Sequence, residues 1–149
     1  MYTAGEYCVI EPGADIGDGV VIGSFVTIRT RAKIGANTKI GNLCDIRTDA
    51  VIGENCLLGN NVGVPEGCVV GNNVQLAAAA SLTNKPMTDP KLREPSIVED
   101  GAVIGIRSVV MPGVTIGRNA VVGAMSLVTK NVPAGEVWFG IPAKFHRKV

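Results

Sequence analysis

The side chains able to do chemistry in this 149-residue sequence fall into three groups. A charged stretch, Leu82 to Ser96 (LTNKPMTDPKLREPS), carries Asn84, Lys85, Asp89, Lys91 and Arg93. A second group, Glu11, Arg29, Arg31 and Arg47, lies upstream in a chain otherwise rich in Ile, Val, Ala and Gly. The third is thiol and imidazole: Cys8, Cys44, Cys56, Cys68 and the single histidine, His146. Lys and Arg can meet anions, Asp and Glu can hold cations or protons, and a carboxamide such as Asn84 can orient a polar group without titrating. His146, among Phe145, Arg147 and Lys148, reads as a solvated tail residue, so the body of the chain has no imidazole for general-base work.

These groups are positioned by a repeat. From Ile10 to Leu82 every sixth residue is aliphatic, and four residues after each stands a second, mostly small residue, as in Ala14, Val20, Val26 and Ala32. The pattern resumes from Val98 to Val128. A period of six is neither the 3.6 of a helix nor the bare 2.0 of a strand; it predicts an all-β chain, a parallel β-helix of short strands and turns. The four cysteines fall in the small inward column, where neighbouring hexads use Ala or Val, and so read as buried packing residues. Metal and disulfide roles are set aside on the same ground.

Glycine follows the aliphatic anchor at 17, 23, 35, 41, 53, 59 and 71, where freedom from Cβ strain at a corner is the expected reason. Apart from the stray Ala77, the positions that lack it, Glu11, Arg29, Arg47, Pro65 and Thr83, are 18 residues apart. Three hexads therefore make one coil, and one corner of the coil differs from the other two. If the step from Leu82 to Val98 turns a single corner, it carries ten additional residues and leaves from that distinctive corner. The expected organisation is one domain over 1–149, with repeat at 4–82 and 98–133, a loop at 83–97 and a cap at 134–149.

Charge is balanced overall, 14 basic against 13 acidic residues, which gives no reason to expect a nucleic-acid partner. It is uneven along the chain, residues 1–83 carrying net −3 and 84–149 net +4, so the second part is better suited to attract an anion. No apolar run approaches a membrane span, and the N-terminus lacks a basic-then-apolar signal, so a soluble cytoplasmic protein is expected. A thin three-sided prism has much surface for its volume, which favours association, and a homotrimer is the natural symmetric choice.

The hexads IGDGVV, IGANTK, IGENCL and IGRNAV, with VVMPGVTIG and VVGAMSLVTKNVPAGEVWFGIPAK downstream, resemble the hexapeptide-repeat acyltransferases over essentially the whole chain. That resemblance implies a left-handed parallel β-helix, a trimer with active sites between subunits, and acetyl-CoA as cosubstrate with no metal. LTN at the start of the loop and IVEDGAVIG after it look most like the branch that N-acetylates amino sugars carried on a nucleotide diphosphate. Branches that acylate hydroxyls resemble one another in using a histidine base, and the carbonic anhydrases of this fold hold zinc with three histidines. The chain has neither. An amine is more nucleophilic than a hydroxyl, so a histidine-free site suits an amine acceptor.

The resemblance makes Asn84 the catalytic position, its carboxamide accepting a hydrogen bond from the amine and aiming the lone pair at the thioester carbonyl; the plainer role is to turn the chain into the loop. Asp89 either holds the amine or a sugar hydroxyl, or caps a turn before Pro90. Lys85, with Lys91 and Arg93, either meets diphosphate oxygens or is loop charge. Glu11, Arg29, Arg31 and Arg47 either contact the nucleotide and diphosphate, or form an exposed ion ladder of small energetic weight. For the cosubstrate, the resemblance implies Gly105 and Ala124 along the pantetheine, with Lys130, Ile141, Pro142 and Lys144 at the adenine and phosphate end, where GIPAK matches the family's ending. Ile106, Arg107 and Met125 depart from the small residues usual there. Two other readings remain: an acyltransferase for another small amine or an alcohol, and a non-catalytic β-helix used in assembly.

Overall fold

Each hexad folds into a two-residue strand and a four-residue turn. Val21–Ile22, Thr27–Ile28 and Lys33–Ile34 are three consecutive strands, and they belong to three different parallel sheets. The computed structural model describes residues 1–149, which wind into a three-sided parallel β-solenoid of about eight turns. Sheet A runs from Thr3–Ala4 through Val121–Val122 to a terminal hairpin, sheet B from Val9–Ile10 to Leu127–Val128, and sheet C from Asp15–Ile16 to Thr115–Ile116. Residues pair with their equivalents 18 positions on, as in Val9 with Thr27 and Thr27 with Asp45. No helix is long and apolar enough to cross a membrane.

The second residue of each strand points inward. Ile28, Ile46, Val64 and Leu82 are stacked in the core, with the small column Val26, Cys44, Val62 and Ala80 filling the narrow corner beside them. Cys44, Cys56 and Cys68 are buried and Cys8 half-buried, all four as free thiols. Burial pushes the thiols of Cys44, Cys56 and Cys68 above the ordinary range, so they stay protonated. Thr38, Ser108 and Ser126 are buried polar residues at these small inward positions, and the Thr38 hydroxyl donates to the Gly53 carbonyl at 2.8 Å.

The turns correct the expected role of glycine. The left-handed residue is the third residue after the anchor, for example Tyr7, Phe25, Asn37 and Asn55 at φ of +55° to +58°. Glycines such as Gly35 and Gly59 occupy the first position, and it is proximity that excludes a side chain there. A Cβ on Gly35 would lie 2.5 Å from the carbonyl carbon of Gly53, and one on Gly59 2.6 Å from the nitrogen of Ala78. At the edges joining A to B and C to A the coils stack too closely for a Cβ at these glycines, and only Ala77 and Glu99 carry one at the equivalent position. At the edge joining B to C, Glu11, Arg29 and Arg47 carry full side chains outward.

The loop leaves from this third edge. Val69 pairs with Val51 across 18 residues on one side and with Ile97 across 28 on the other, so ten residues are inserted while the ladder continues to Thr115. The neck of the insertion is closed by backbone hydrogen bonds, Glu94 N–H to the Asn84 carbonyl and Gly113 N–H to the Glu94 carbonyl, both 2.8 Å. At the far end, strands Glu136–Gly140 and Ala143–Lys148 form a hairpin on sheet A, and Trp138 packs against the last core layer. The first coil has no such cover, and Ile10, Ala14 and Ile16 are only half-buried.

Candidate active site

A cavity of about 630 Å³ lies on sheet B at its edge with sheet C. Five residues singled out in the sequence line it: Glu11, Arg29, Arg47, Asn84 and Lys85. Stacking creates the arrangement, because residues 18 apart sit one coil above another. Glu11, Arg29, Arg47 and Pro65 thus form one column, with Asn84 and Lys85 at its upper end. Gly63, whose outward Cβ would meet nothing within 4 Å, leaves the strand surface beside the column free of side chain. A glycine inside a strand commonly marks close approach of another group to the backbone.

Ion pairs fix the charged side chains. Arg29 Nη1 donates to Glu11 Oε1 at 2.6 Å, and Glu11 Oε2 accepts the Thr30 N–H at 2.8 Å. The bond from Arg29, and then that from Thr30, holds the Glu11 carboxyl below its usual range. Arg29 Nε is buried and has no partner. Arg47 pairs with Asp45 at 2.7 Å, and Lys85 is exposed with no ion pair. The lining therefore combines three cations with three carboxylates, Glu11, Asp45 and Glu66, and only one apolar residue, which suits a polar ligand that both donates and accepts hydrogen bonds.

Asn84 is 8 % exposed, and its Nδ2 donates to the Glu66 carbonyl at 2.9 Å. That bond fixes the carboxamide, leaving Oδ1 as an acceptor at the cavity. The Asn84 carbonyl also closes the loop neck, so the residue has a part in turning the chain. Glu66 lies one coil below Asn84, and its carboxylate faces Arg93 at 3.8 Å.

Other sequence candidates lie elsewhere. Arg31 is beyond the corner from Arg29 and makes a bidentate pair with Asp49, at 2.7 and 2.8 Å. Asp89 is exposed in the loop, where its Oδ1 accepts the Lys91 N–H at 2.9 Å and so stabilises a local turn. Gly105 and Ala124 are stacked on the A–B edge, where a Cβ on Gly105 would reach Ala124 N at 2.5 Å. Lys130 is exposed on the B–C edge, after Leu127–Val128. Ile141, 74 % exposed, and Pro142 form the tip of the hairpin, with Lys144 beyond them. His146 packs against Phe139 in the same hairpin, with ring centroids 4.6 Å apart and planes tilted by 53°. Asp45, Thr48, Gly63 and Glu66 line the cavity and were not singled out in the sequence. Two of them carried a signal: Glu66 is one 18-residue period before Asn84, and Asp45 is two residues, one strand side, before Arg47.

The bacterial transferase hexapeptide family (six repeats) matches residues 31–66, 49–84 and 95–130, well over half of the chain. The chain belongs to that family. Within it, the chain is 41% identical over 76 residues to a 2,3,4,5-tetrahydropyridine-2,6-dicarboxylate N-acetyltransferase of Clostridium perfringens, a match covering 51% of this chain and 31% of that protein. The match thus spans about a third of the relative's length. Among solved structures, LpxA from Acinetobacter baumannii superposes with a TM-score of 0.74 at 22% identity, covering 99% of this chain and 67% of that one. AntD, an N-acyltransferase from Bacillus cereus solved as a variant with dTDP and coenzyme A, gives 0.71 at 20% identity, covering 97% and 82%. At these identities the two structures speak for the fold, which is the left-handed parallel β-helix expected of the hexapeptide family.

Within that family fold, the donor and acceptor candidates of one chain occupy different edges. Acceptor candidates run down the B–C edge, whereas Gly105 and Ala124 lie on the A–B edge, above the alanine strip Ala77–Ala80. No group of three or more His, Cys, Asp or Glu side chains is placed to hold a metal ion.

Proposed function

We propose that the protein is an acetyl-CoA-dependent N-acetyltransferase whose acceptor is an amino sugar linked to a nucleotide diphosphate, and that it works as a cytoplasmic homotrimer with each site between two subunits. The observation that carries this reading is the fixed carboxamide of Asn84, with Oδ1 free at the top of a long polar cavity. An acceptor amine must present a lone pair to the acyl carbonyl, and an amide oxygen accepting one N–H orients that lone pair. The exposed end of the Arg29 guanidinium and the free N–H groups of Arg47 and Lys85, spread along the same column, suit phosphate oxygens.

Coenzyme A would supply the activated acyl group as a thioester. The residues that fit it are backbone groups of the A–B edge, where Ala77–Ala80, Gly105 and Ala124 leave little side chain in the way, and the exposed Ile141, Pro142 and Lys144 of the hairpin. A second copy brings that edge to Asn84, and Lys130 of the B–C edge would then stand across the groove from the hairpin.

The relatedness over half the chain to dicarboxylate N-acetyltransferases favours a second reading, a small dicarboxylate amine as acceptor. Cavity size favours the larger ligand, because about 630 Å³ far exceeds a small dicarboxylate. The test is thiol release from acetyl-CoA with dTDP-4-amino-4,6-dideoxyglucose and other nucleotide-linked amino sugars, tetrahydropyridine-2,6-dicarboxylate, simple amines and alcohols. Release with the nucleotide-linked sugars alone is expected. Release with none, and no binding of coenzyme A, removes the enzyme reading.

A further inference from the structure

Three consecutive coils place large apolar residues where both the backbone and the solvent disfavour them. Tyr7, Phe25 and Leu43 occupy the left-handed position of the A–B edge, at φ of +57°, +58° and +60°, and are 74 %, 54 % and 55 % exposed. The same turn position on the C–A edge is filled by Asn37, Asn55, Asn73 and Asn119, a residue that tolerates this conformation far better. Higher on the A–B edge it is Asn61 and then Ala79. The Tyr7 and Phe25 rings are stacked, with centroids 5.1 Å apart and planes at 17°, so their facing sides cover each other and the ladder turns its ring edges outward. Nothing in this chain covers those edges.

We propose that this ladder is the missing wall of the acceptor cavity of a second copy of the chain. The inference rests on the proposed function, in which the A–B edge of one copy meets the B–C edge of the next. Tyr7, Phe25 and Leu43 each precede, by four residues and in the same coil, Glu11, Arg29 and Arg47. The solenoid keeps one 18-residue register along its length, so its edges are straight. Two parallel copies that bring the Ala77–Ala80 strip to the level of Asn84 therefore bring the ladder to the level of Glu11, Arg29 and Arg47. One contact entails the other.

The facing surfaces match in chemistry. Arg29 and Arg47 offer aliphatic stems and planar guanidinium groups, which pack well against aromatic side chains. In these three coils the only charged residue on the A–B edge turns is Glu6, an acid without an ion pair, and it would face a column in which Arg29, Arg31 and Arg47 are paired with Glu11, Asp49 and Asp45. Aromatic residues are enriched in the buried centre of protein interfaces. The ladder thus closes over the lower part of the cavity, where the end of the acceptor distant from its amine would lie.

The test uses the full chain with Tyr7→Asn and Phe25→Asn together, a change to the residue type this turn prefers. Circular dichroism and thermal melting are expected to show an intact fold. Light scattering should then show a weakened oligomer, and KM for the nucleotide-linked amino sugar should rise at least ~10-fold. Co-expression of this variant with an Asn84→Ala chain, with mixed oligomers isolated through two affinity tags, should restore transfer. In a mixed trimer of either composition, roughly one site in three pairs an intact Asn84 edge with an intact ladder. If the double variant keeps wild-type mass and KM, or if mixed oligomers recover nothing, the ladder is not part of the site. Leu43→Asn provides the same readouts should the double variant fold poorly. An unsubstituted chain that transfers to no acceptor counts against the proposed function instead, and the oligomer mass still decides whether the ladder is an interface between copies.

Discussion

The A–B and B–C edges of the prism are made from the same six-residue unit and turn through the same left-handed residue, yet they carry different chemistry. On the A–B edge, Gly23, Gly41 and Gly59 stand where a Cβ would strike the next coil, so that position offers backbone, although Ile106, Arg107 and Met125 carry side chains on the turns higher up. On the B–C edge, Glu11, Arg29 and Arg47 occupy that place with full side chains, and a charged cavity forms around them. The difference teaches that in this fold the room for one Cβ decides whether an edge offers backbone or side chains to a ligand. Under the proposed function, a pantetheine arm and an anionic sugar nucleotide make opposite demands, one of each edge.

The comparison breaks most readily at the close-stacked position. Gly35→Val should destabilise the fold by ~2–3 kcal/mol, because the added atoms meet the backbone of Gly53, which cannot move aside without shifting a coil. Arg29→Ala, at the equivalent place on the B–C edge, should leave stability close to that of the unsubstituted chain. Urea denaturation measures both, and equal losses would erase the distinction between the edges.

Activity sharpens the comparison next. Asn84→Ala should lower kcat more than ~10-fold, the loss of roughly 1.4 kcal/mol of transition-state positioning. An unchanged kcat would reduce Asn84 to its part in the loop neck. Arg47→Ala, lower on the same edge, should raise acceptor KM by about 3–10-fold with kcat nearly preserved, the mark of an interaction equal in ground and transition states. A KM effect confined to acetyl-CoA would move Arg47 to the donor side.

The smallest effect concerns pH. The Arg29 bond depresses the folded-state pKa of Glu11, so the pair contributes above the ordinary carboxyl pKa of ~4.3 and its contribution is lost as pH falls through the depressed value. The melting-temperature difference between the unsubstituted chain and Glu11→Gln should therefore be present at neutral pH and close below about pH 4. A difference that grows on acidification would contradict the pairing.

Much of this was legible in the sequence because the repeat converts spacing directly into position. Residues 18 apart stack, so the exceptions to the glycine column named the B–C edge, and the ten-residue excess before Ile97 placed the loop on it. The cysteines read correctly for the same reason, each being four residues after an anchor. What was illegible lay in residues without an irregularity to mark them. Asp45 and Glu66 interrupt no column, and their place in the cavity follows from neighbours one coil or one strand away. Asp89 and Arg31 had the right chemistry, but a turn bond to Lys91 and a bidentate pair with Asp49 occupy them.

By itself the sequence determined the period, the inward columns, the three-hexad coil and the edge from which the loop departs, since each is a matter of counting along a chain that repeats. Only the tertiary structure decided why glycine follows the anchors, which carboxylate neutralises which arginine, and that the Asn84 carboxamide turns its nitrogen to Glu66 and its oxygen to the cavity. Those facts depend on distances between coils and on competition for hydrogen-bond partners across them, which a one-dimensional pattern does not contain.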